Sequence, residues 1–373
     1  MVDLASKMLV HEKLRFAITI AGVAFAVSLV LIQVGLFVGL LDNASVTIDH
    51  TDADLWITSR STPNVDFGHA FPERRLNRVR AIPGVERADN LIVAFMTIAL
   101  PTGAEESTLV YAMSDFRWGL PRDVTEGELQ DLRRGSFLML DESAARRFGS
   151  FDLGEKRELF GRRLQIIGRT KDAKSFTTTP ISFIDYATAQ SLSPALKENT
   201  TYILVKVAPG ADIETVRADI RTRLPHNDVY TKAEWSARSR NYWLENTGIG
   251  FSMYLTVFLG CLVGVVVVAQ TLYASTMEHL REFGTVKAIG GSNWDIYKII
   301  TKQAGLSAVL GFVLGAVPSV AAGPLIAKTG LHLALSPEFV VVVFVSTLAL
   351  CMLAAMVSFR KIASIDPSLV FRT

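Results

Sequence analysis

The chain has 373 residues, of which 50% are hydrophobic and only 20% are charged, whereas soluble domains carry about 25% charged residues. Its 38 basic and 36 acidic residues leave a net charge of +2. This balance argues against a nucleic-acid-binding protein, which has a clustered basic surplus, and against a disordered chain of one charge sign. Two cysteines are too few for a disulfide framework or a cysteine-rich zinc module.

Four long segments carry almost no charged side chain and are predicted to be transmembrane helices. They cover residues 16–41, 249–273, 303–326 and 338–359, and a helix needs about 20 apolar residues to cross the hydrocarbon core. The first segment is longer than the apolar part of a secretory signal peptide, which has about 7–15 residues. We therefore expect it to be retained as an anchor, and we disfavour the alternative of four buried helices in a soluble protein.

The distribution of lysine and arginine predicts the orientation of these helices. The N-terminal segment 1–15, the loop 277–302 and the tail 360–373 together contain ten such residues, whereas the loop between the third and fourth helices contains only Lys328. Because cytoplasmic loops carry the excess of positive charge, both termini and the loop 277–302 are expected to be cytoplasmic. Residues 42–245 are then extracytoplasmic.

The segment 42–245 is too long for a structureless loop, so it is expected to fold as an α+β domain. Runs rich in β-branched and aromatic residues predict strands at 55–59, 91–100, 107–113, 137–140, 163–167 and 201–207. Helices are predicted at 73–81, 143–148, 184–191 and 213–224. Residues 118–199 are interpreted as an inserted second lobe. Residues 40–50 and 231–246 lack proline and glycine, so both are expected to form helical stalk ends that extend the membrane helices outward.

The sequence contains no pattern that indicates catalysis. It lacks the G-x-x-x-x-G-K-[ST] pattern that binds nucleotide phosphates, and its six histidines are scattered without metal-ligand spacing. Asp141 or Ser143 is interpreted as the cap of the short helix 144–148 rather than as a catalytic group. Because no ionisable residue lies deep in a predicted span, a proton-coupled transporter or an ion channel is disfavoured. We expect no bound metal and no ATP hydrolysis by this chain.

Glycine pairs four residues apart occur in three of the predicted membrane helices. The pairs Gly35 and Gly39, and Gly260 and Gly264, lie in the first and second helices, and a third pair lies at positions 311 and 315. This spacing allows the backbones of two helices to approach closely. We therefore expect these glycines to be sites of helix packing.

The predicted cytoplasmic loop has the pattern of a short amphipathic helix. Leu280, Phe283, Val286 and Ile289 recur every three residues, with charged residues between them. Such a helix lies along the membrane surface and can dock into a groove of a soluble partner.

Three motifs resemble the FtsX-like or MacB-type permeases of ABC transporters. The segment 281–292, REFGTVKAIGGS, is similar to the signature after the family's second membrane helix. The turn 82–85, IPGV, and the tail 359–372, with its Asp-Pro pair, are similar to two further family motifs. The first helix, with AGVAFAV at 21–27, looks most like the DevC-type branch.

The resemblance implies a set of partners. Such permeases sit in the bacterial inner membrane, dimerise as homo- or heterodimers, and bind cytoplasmic ABC ATPase subunits, so ATP acts through the partner. The helix that couples to the ATPase would comprise Arg281, Glu282, Phe283, Gly284, Val286, Lys287, Ala288, Ile289 and Gly290. DevC-like members resemble export machines that work with a periplasmic membrane-fusion adaptor and an outer-membrane channel. Contacts with membrane lipid are also expected, and nucleic acid is not.

The same architecture leaves two other functions open at this point. One is a permease that releases lipoproteins from the membrane, with acyl-chain contacts expected at 36–41 and 251–257. The other is a signalling scaffold whose external domain activates a cell-wall hydrolase. The sequence does not identify the transported substrate.

Overall fold

The computed structural model describes residues 13–171, 173–278, 292–328 and 331–363. The chain divides into two compact units. The α+β unit is Leu40–Gly250, and the helical unit combines Met1–Gly39 with Phe251–Thr373. Each unit is described on its own.

The described helices and strands are numbered in chain order. The helices are α1 (Lys13–Asn43), α2 (Val46–His50), α3 (Arg75–Arg80), α4 (Ala144–Phe148), α5 (Tyr186–Leu192), α6 (Ile213–Arg223), α7 (Lys232–Glu245), α8 (Ile249–Glu278), α9 (Asn293–Ala321), α10 (Gly323–Ala327) and α11 (Pro337–Ala363). The strands are β1 (Leu55–Ser59), β2 (Phe71–Pro72), β3 (Val85–Ala99), β4 (Glu105–Met113), β5 (Asp123–Glu126), β6 (Phe137–Asp141), β7 (Lys156–Leu159), β8 (Arg162–Lys171), β9 (Ile181–Asp185), β10 (Asn199–Thr200), β11 (Tyr202–Val207) and β12 (Asn227–Thr231).

Four helices of the described chain are long and apolar enough to cross a membrane. The candidate spans are Phe16–Asn43, Ile249–Thr271, Ile296–Ala327 and Pro337–Met356. The first precedes the α+β unit and the other three follow it. The predicted fold class, four membrane helices with a large α+β domain between the first and second, is therefore confirmed.

The α+β unit is built on one large mixed sheet. Among the described residues, its strands follow the order β12-β1-β11-β3-β4-β9-β6-β8-β5, and β7 pairs with both β3 and β8. The pairs β4–β9 and β6–β8 are parallel. The segment 118–199, interpreted from the sequence as a second lobe, contributes strands β5 to β9 to this same sheet. Its strands are thus hydrogen-bonded continuously to the rest of the unit.

Alternation of side chains along the strands places apolar residues on both faces of the sheet. In β4, Leu109 and Tyr111 belong to the core covered by α2 and α7, whereas Val110 and Ala112 belong to the core under α4 and α5. A third apolar cluster joins β1, β11 and β12 to α3 and α6. Because both faces are covered by helices, the sheet can be largely buried.

Both segments predicted to form helical stalk ends contain a helix, α2 and α7, and a short break separates each of them from the neighbouring membrane helix. Helix α1 ends at Asn43 and α2 begins at Val46, while α7 ends at Glu245 and α8 begins at Ile249. Gly248 has a φ of +71°, a left-handed conformation that ends helices and favours glycine. The absence of proline and glycine in the flanking segments did not reveal these two breaks.

Of the two residues predicted to cap α4, Asp141 bonds to the start of this helix and the Ser143 side chain does not. The side chain of Ser143, at the N-cap of α4, makes no capping hydrogen bond. The Asp141 carboxylate is buried and accepts hydrogen bonds from the backbone N–H groups of Ser143 and Ala173, at 2.9 and 2.8 Å. Asp141 therefore ties the start of α4 to the segment after β8.

Candidate functional site in the membrane helices and at the base of the α+β unit

Two glycines of α8 allow this helix to pack closely on α1. A Cβ atom added at Gly260 would lie 2.7 Å from Cδ2 of Leu29, and one at Gly264 would lie 2.9 Å from Cβ of Ala26. Cβ atoms essentially never approach other atoms so closely. The structure therefore places Gly260 and Gly264 at a tight contact between the first and second membrane helices.

Helix α9 packs on α1 through the third glycine pair. A Cβ at Gly311 would lie 2.5 Å from the side chain of Val23, and one at Gly315 would lie 2.5 Å from the carbonyl oxygen of Ala24. The Ser28 hydroxyl also donates a 2.9 Å hydrogen bond to the carbonyl oxygen of Gly315. Helix α1 thus contacts both α8 and α9 through small residues, as expected when backbones approach within a bilayer.

The glycine pair of α1 itself has a different neighbour. A Cβ at Gly35 would lie 2.8 Å from Cδ2 of Leu335, and one at Gly39 would lie 2.0 Å from the carbonyl oxygen of His332. The N–H of Ala334 donates to the carbonyl oxygen of Gly35 at 3.0 Å. Gly35 and Gly39 therefore pack against the segment before α11, and not against Gly260 and Gly264.

A cleft of about 230 Å³ opens between α1, α8 and α11. Its lining is apolar except for the hydroxyls of Ser346 and Thr347 and the thiols of Cys261 and Cys351, and it contains no charged side chain. Such a lining suits hydrocarbon and cannot hold an ion or a polar solute.

The predicted ATPase-coupling helix lies outside the described residues. This applies to Arg281, Glu282, Phe283, Gly284, Val286, Lys287, Ala288, Ile289 and Gly290.

Aromatic side chains cluster where the α+β unit begins and ends. The rings of Phe176 and Trp243 are stacked, with centroids 4.1 Å apart. Phe67 contacts Phe95, Tyr242 and Trp243 with centroid distances of 5.8 to 6.2 Å. Leu40, Leu41 and Ile249, which lie at the two ends of this unit, pack against the same cluster. Aromatic residues are enriched at the boundary between membrane and water.

A buried carboxyl group lies beside this aromatic cluster. Asp66 is 4% exposed, and burial raises the pKa of its carboxyl to about 7, although the backbone N–H of Phe176 opposes this shift. No lysine, arginine or histidine forms an ion pair with it in the part of the chain that the structure describes. Burial without a cationic partner therefore disfavours the ionised form of Asp66.

The loop that carries Asp66 is held in place by hydrogen bonds. The Asn64 side chain accepts from the N–H groups of Asp66 and Phe67 at 3.0 and 3.1 Å. The N–H of Val65 donates to the hydroxyl of Ser239 in α7 at 3.2 Å. The sequence does not reveal this loop, because an acid between two strands gives no signal that it is buried.

Within the described residues, no group of three histidine, cysteine, aspartate or glutamate side chains could hold a metal ion. The described features are instead those of a membrane protein that packs a helix pair tightly and attaches it to a folded domain. The fold and these helix contacts define a multi-pass membrane protein with a large α+β domain.

The comparisons with known families identify the class. Residues 16–223 match the MacB-like periplasmic core domain, and residues 254–367 match the FtsX-like permease C-terminal domain. The chain therefore belongs to the MacB-like and FtsX-like family of ABC transporter permeases, as the sequence motifs predicted.

The chain is also similar to several whole proteins. An uncharacterized ABC transporter permease of Mycobacterium tuberculosis H37Rv is 25% identical over 366 residues, which is 96% of each chain. A second one from the same strain is 26% identical over 361 residues, 96% of this chain and 95% of the relative. An uncharacterized ABC transporter permease of Methanocaldococcus jannaschii is 27% identical over 122 residues, 31% of this chain and 30% of the relative.

Two solved structures are similar to part of the chain. The periplasmic region of MacB from Actinobacillus actinomycetemcomitans aligns with 50% of this chain and 92% of its own length, at 12% identity and a TM-score of 0.40. The extracellular domain of the ABC-type transporter YknZ from Gram-positive bacteria aligns with 48% of this chain and 98% of its own, at 15% identity and a TM-score of 0.37.

Proposed function

We propose that this permease transmits ATP-driven motion from cytoplasmic ATPase subunits to its extracytoplasmic domain, and that it serves export or efflux with a periplasmic adaptor. The chain itself is proposed to be non-catalytic, with ATP bound and hydrolysed by the partner ATPase. Both termini and the loop 277–302 are proposed to be cytoplasmic, and two permease copies to form the transporter.

This proposal rests on one observation: the helices at the two ends of the α+β unit, α2 and α7, are anchored in its core. Helices α2 and α7 pack against each other, and Ile48 of α2 and Trp235 of α7 are both fully buried in the core of the sheet. Only two residues separate α1 from α2, and only three separate α7 from α8. A displacement of α1 or α8 would therefore act on helices that are anchored in the domain core.

The coupling helix provides the sharpest test. Arg281→Glu and Gly284→Trp each alter the side of that segment that the family resemblance assigns to the ATPase. The tagged permease would be co-expressed with a candidate ABC ATPase subunit from the same organism, purified, and assayed for bound ATPase and ATP hydrolysis. We expect both variants to lose bound ATPase, whereas Arg163→Glu, which reverses an exposed charge on β8, keeps it. Unchanged association and hydrolysis in both variants would refute the assignment.

The apolar cleft supports a second function, the release of lipoproteins from the membrane. Its lining by Val34, Val257 and other apolar residues suits an acyl chain. A photoreactive residue at position 257 should then capture a lipidated protein in membranes, and a residue at position 310, in α9, should not. Capture of no lipidated protein from either position would exclude this alternative and leave the export proposal standing.

A further inference from the structure

Arginine is concentrated on one side of the α+β unit, around α3, the C-terminal end of α6 and the start of β12. The members of this arginine patch are Arg60, Arg74, Arg75, Arg78, Arg221 and Arg223. In the described chain, none of the six forms an ion pair with a carboxylate. The segment 43–245 as a whole has 27 basic and 28 acidic residues, so the patch is a local excess within a nearly neutral domain.

Hydrogen bonds draw four of these arginines together. Arg75 donates to the side chain of Asn227. Arg60 donates to the carbonyl oxygen of Pro225, which lies two residues before Asn227 in the sequence. Arg221 donates to the carbonyl oxygen of Val229 at 3.0 Å. Arg223 joins α6 to the end of α3 by donating to the carbonyl oxygen of Ala81 at 3.3 Å. All these acceptors are neutral, so the positive charges remain uncompensated.

The arginines at α3 are close enough for the positive charge of one to lower the pKa of another. Burial and the positive charges of Arg78 and Arg74 lower the pKa of Arg75. Arg74 and Arg78 are exposed, and within the described chain their guanidinium groups donate no hydrogen bond to another residue. Asp228 lines the same cleft as Arg60 and Arg221 and already accepts hydrogen bonds from Ser61 and Tyr230. Glu73, which precedes Arg74, accepts hydrogen bonds from Tyr186 and Gln190. The six arginines outnumber these carboxylates and form an ion pair with neither in the described chain, so the surface is positively charged.

A cleft of about 320 Å³ lies within the patch, with Arg60 and Arg221 in its lining. It shares Tyr230 with a larger polar cleft of about 710 Å³, which is lined by Pro63 and by the last turns of α7 as far as Asn246. The larger cleft has balanced charges, because Arg217 and Arg238 face Glu234 and Glu245. Of these two clefts, only the smaller one has more arginines than carboxylates in its lining.

The lining of the larger cleft includes residues close in sequence to a candidate membrane span. The α+β unit includes the last residues of one candidate span, Phe16–Asn43, and the first residues of the next, Ile249–Thr271. Asn246, in the lining of the larger cleft, stands three residues before that second span. Loop residues Ser61 and Pro63, which follow Arg60, line the same cleft.

We propose that the arginine patch binds the phosphate groups of anionic phospholipids at the membrane surface. Guanidinium groups match phosphate oxygens with two parallel hydrogen bonds, and a patch of basic residues beside a membrane is attracted to anionic lipid. Such contacts hold α3 and α6 at the lipid headgroups. The proposal does not depend on the ATPase partner, so it can fail or succeed separately from the proposed function.

Hydrogen–deuterium exchange of the full chain in lipid nanodiscs tests the proposal. One set of nanodiscs contains phosphatidylcholine alone, and the other also contains phosphatidylglycerol. Backbone amides in 72–84 and 217–230 should exchange several-fold more slowly in the anionic nanodiscs, and high salt should remove the difference because it screens charges. Equal exchange in both lipids would overturn the proposal.

Paired variants separate the patch from overall charge. Arg74→Glu with Arg78→Glu should abolish the lipid-dependent protection, and Arg74→Gln with Arg78→Gln is the milder version if the first does not fold. Arg163→Glu with Lys156→Glu changes the net charge equally at two exposed positions on β8 and β7 and should preserve the protection. If protection arises in neutral nanodiscs only after an acidic soluble protein is added, the patch is a protein-binding surface and the lipid proposal is wrong.

Discussion

The ring of Trp243 in α7 is stacked on that of Phe176, with an angle of 12° between the planes and 4.1 Å between the centroids. Phe176 belongs to the segment between β8 and β9, whereas Trp243 lies six residues before α8. Both side chains are buried, at 4% and 7% exposure. This contact therefore joins the last turn of α7 to the segment between β8 and β9.

Replacing Trp243 by alanine should therefore destabilise the α+β unit around the last turn of α7. We expect Trp243→Ala to lower the free energy of unfolding by about 3–5 kcal/mol, because a large buried ring leaves a cavity. Pulse proteolysis in urea would measure the change. Phe160→Ala is the matched control, since Phe160 is 46% exposed and its loss should cost less than about 0.5 kcal/mol. Equal effects of both substitutions would show that the stacked pair is not a stabilising contact.

Asp66 should make the stability of the α+β unit depend on pH. Burial raises the pKa of its carboxyl from 3.8 to about 7, so the folded state binds the proton more tightly than the unfolded state. Its contribution is fully present below pH 3.8 and is lost as the pH rises to about 7. The free-energy difference reaches at most about 4 kcal/mol, at 1.36 kcal/mol per pKa unit.

Asp66→Asn should remove this pH dependence. The neutral amide has no charge to bury, so the variant should be more stable than the parent at pH 8 and similar to it near pH 4. Unfolding midpoints measured across this range test the expectation. Asp219→Asn, at an exposed position of α6, should leave the pH profile unchanged. A variant that is less stable than the parent at pH 8 would contradict the prediction.

The tight contact between α1 and α8 predicts a strong dependence on side-chain size at Gly264. Gly264→Val places its Cβ 2.9 Å from Cβ of Ala26, so the helices must separate. Overpacking of this kind costs about 1–3 kcal/mol, and we expect a lower melting temperature of the protein in detergent. Gly323→Ala serves as the control, since a Cβ there meets nothing within 4 Å. The assignment of this contact fails if Gly264→Val melts like the parent.

Sequence periodicity located the membrane helices and the buried strands because both have strong apolar signals. The predicted strand 55–59 coincides with β1 (Leu55–Ser59). Two edge strands were missed, β5 and β12, because their residues are mostly polar. β9 (Ile181–Asp185) was missed because its apolar run is short, and part of it was assigned to the following helix.

Long-range partners could be predicted less well than local structure. The glycine spacing at positions 35 and 39 indicated a close contact, but nothing in that spacing reveals that the neighbours are His332 and Leu335. The arginine patch joins residues 60, 75 and 221, which are far apart in sequence. Only the folded sheet brings these charges to one surface.

A final prediction concerns Arg217, whose guanidinium joins α6, α7 and the edge strand β12. It donates to both carboxylate oxygens of Glu234, at 3.0 and 2.6 Å, and to the carbonyl oxygen of Val229 at 3.1 Å. Its side chain is 10% exposed. The bond to Val229 satisfies a carbonyl group of an edge strand, which could otherwise pair with another chain.

Arg217→Lys keeps the charge but cannot reproduce the two parallel hydrogen bonds and the third to Val229. We therefore expect the substitution to destabilise the α+β unit by about 1–3 kcal/mol and to increase hydrogen exchange in β12 first. Arg223→Lys should change stability by less than about 0.5 kcal/mol, because Arg223 is exposed and makes a single bond. Urea unfolding and the rates of amide hydrogen exchange in β12, measured for both variants, test these two expectations. Equal stability of Arg217→Lys and the parent would mean that charge alone, rather than the planar geometry of the guanidinium, joins α6 to β12.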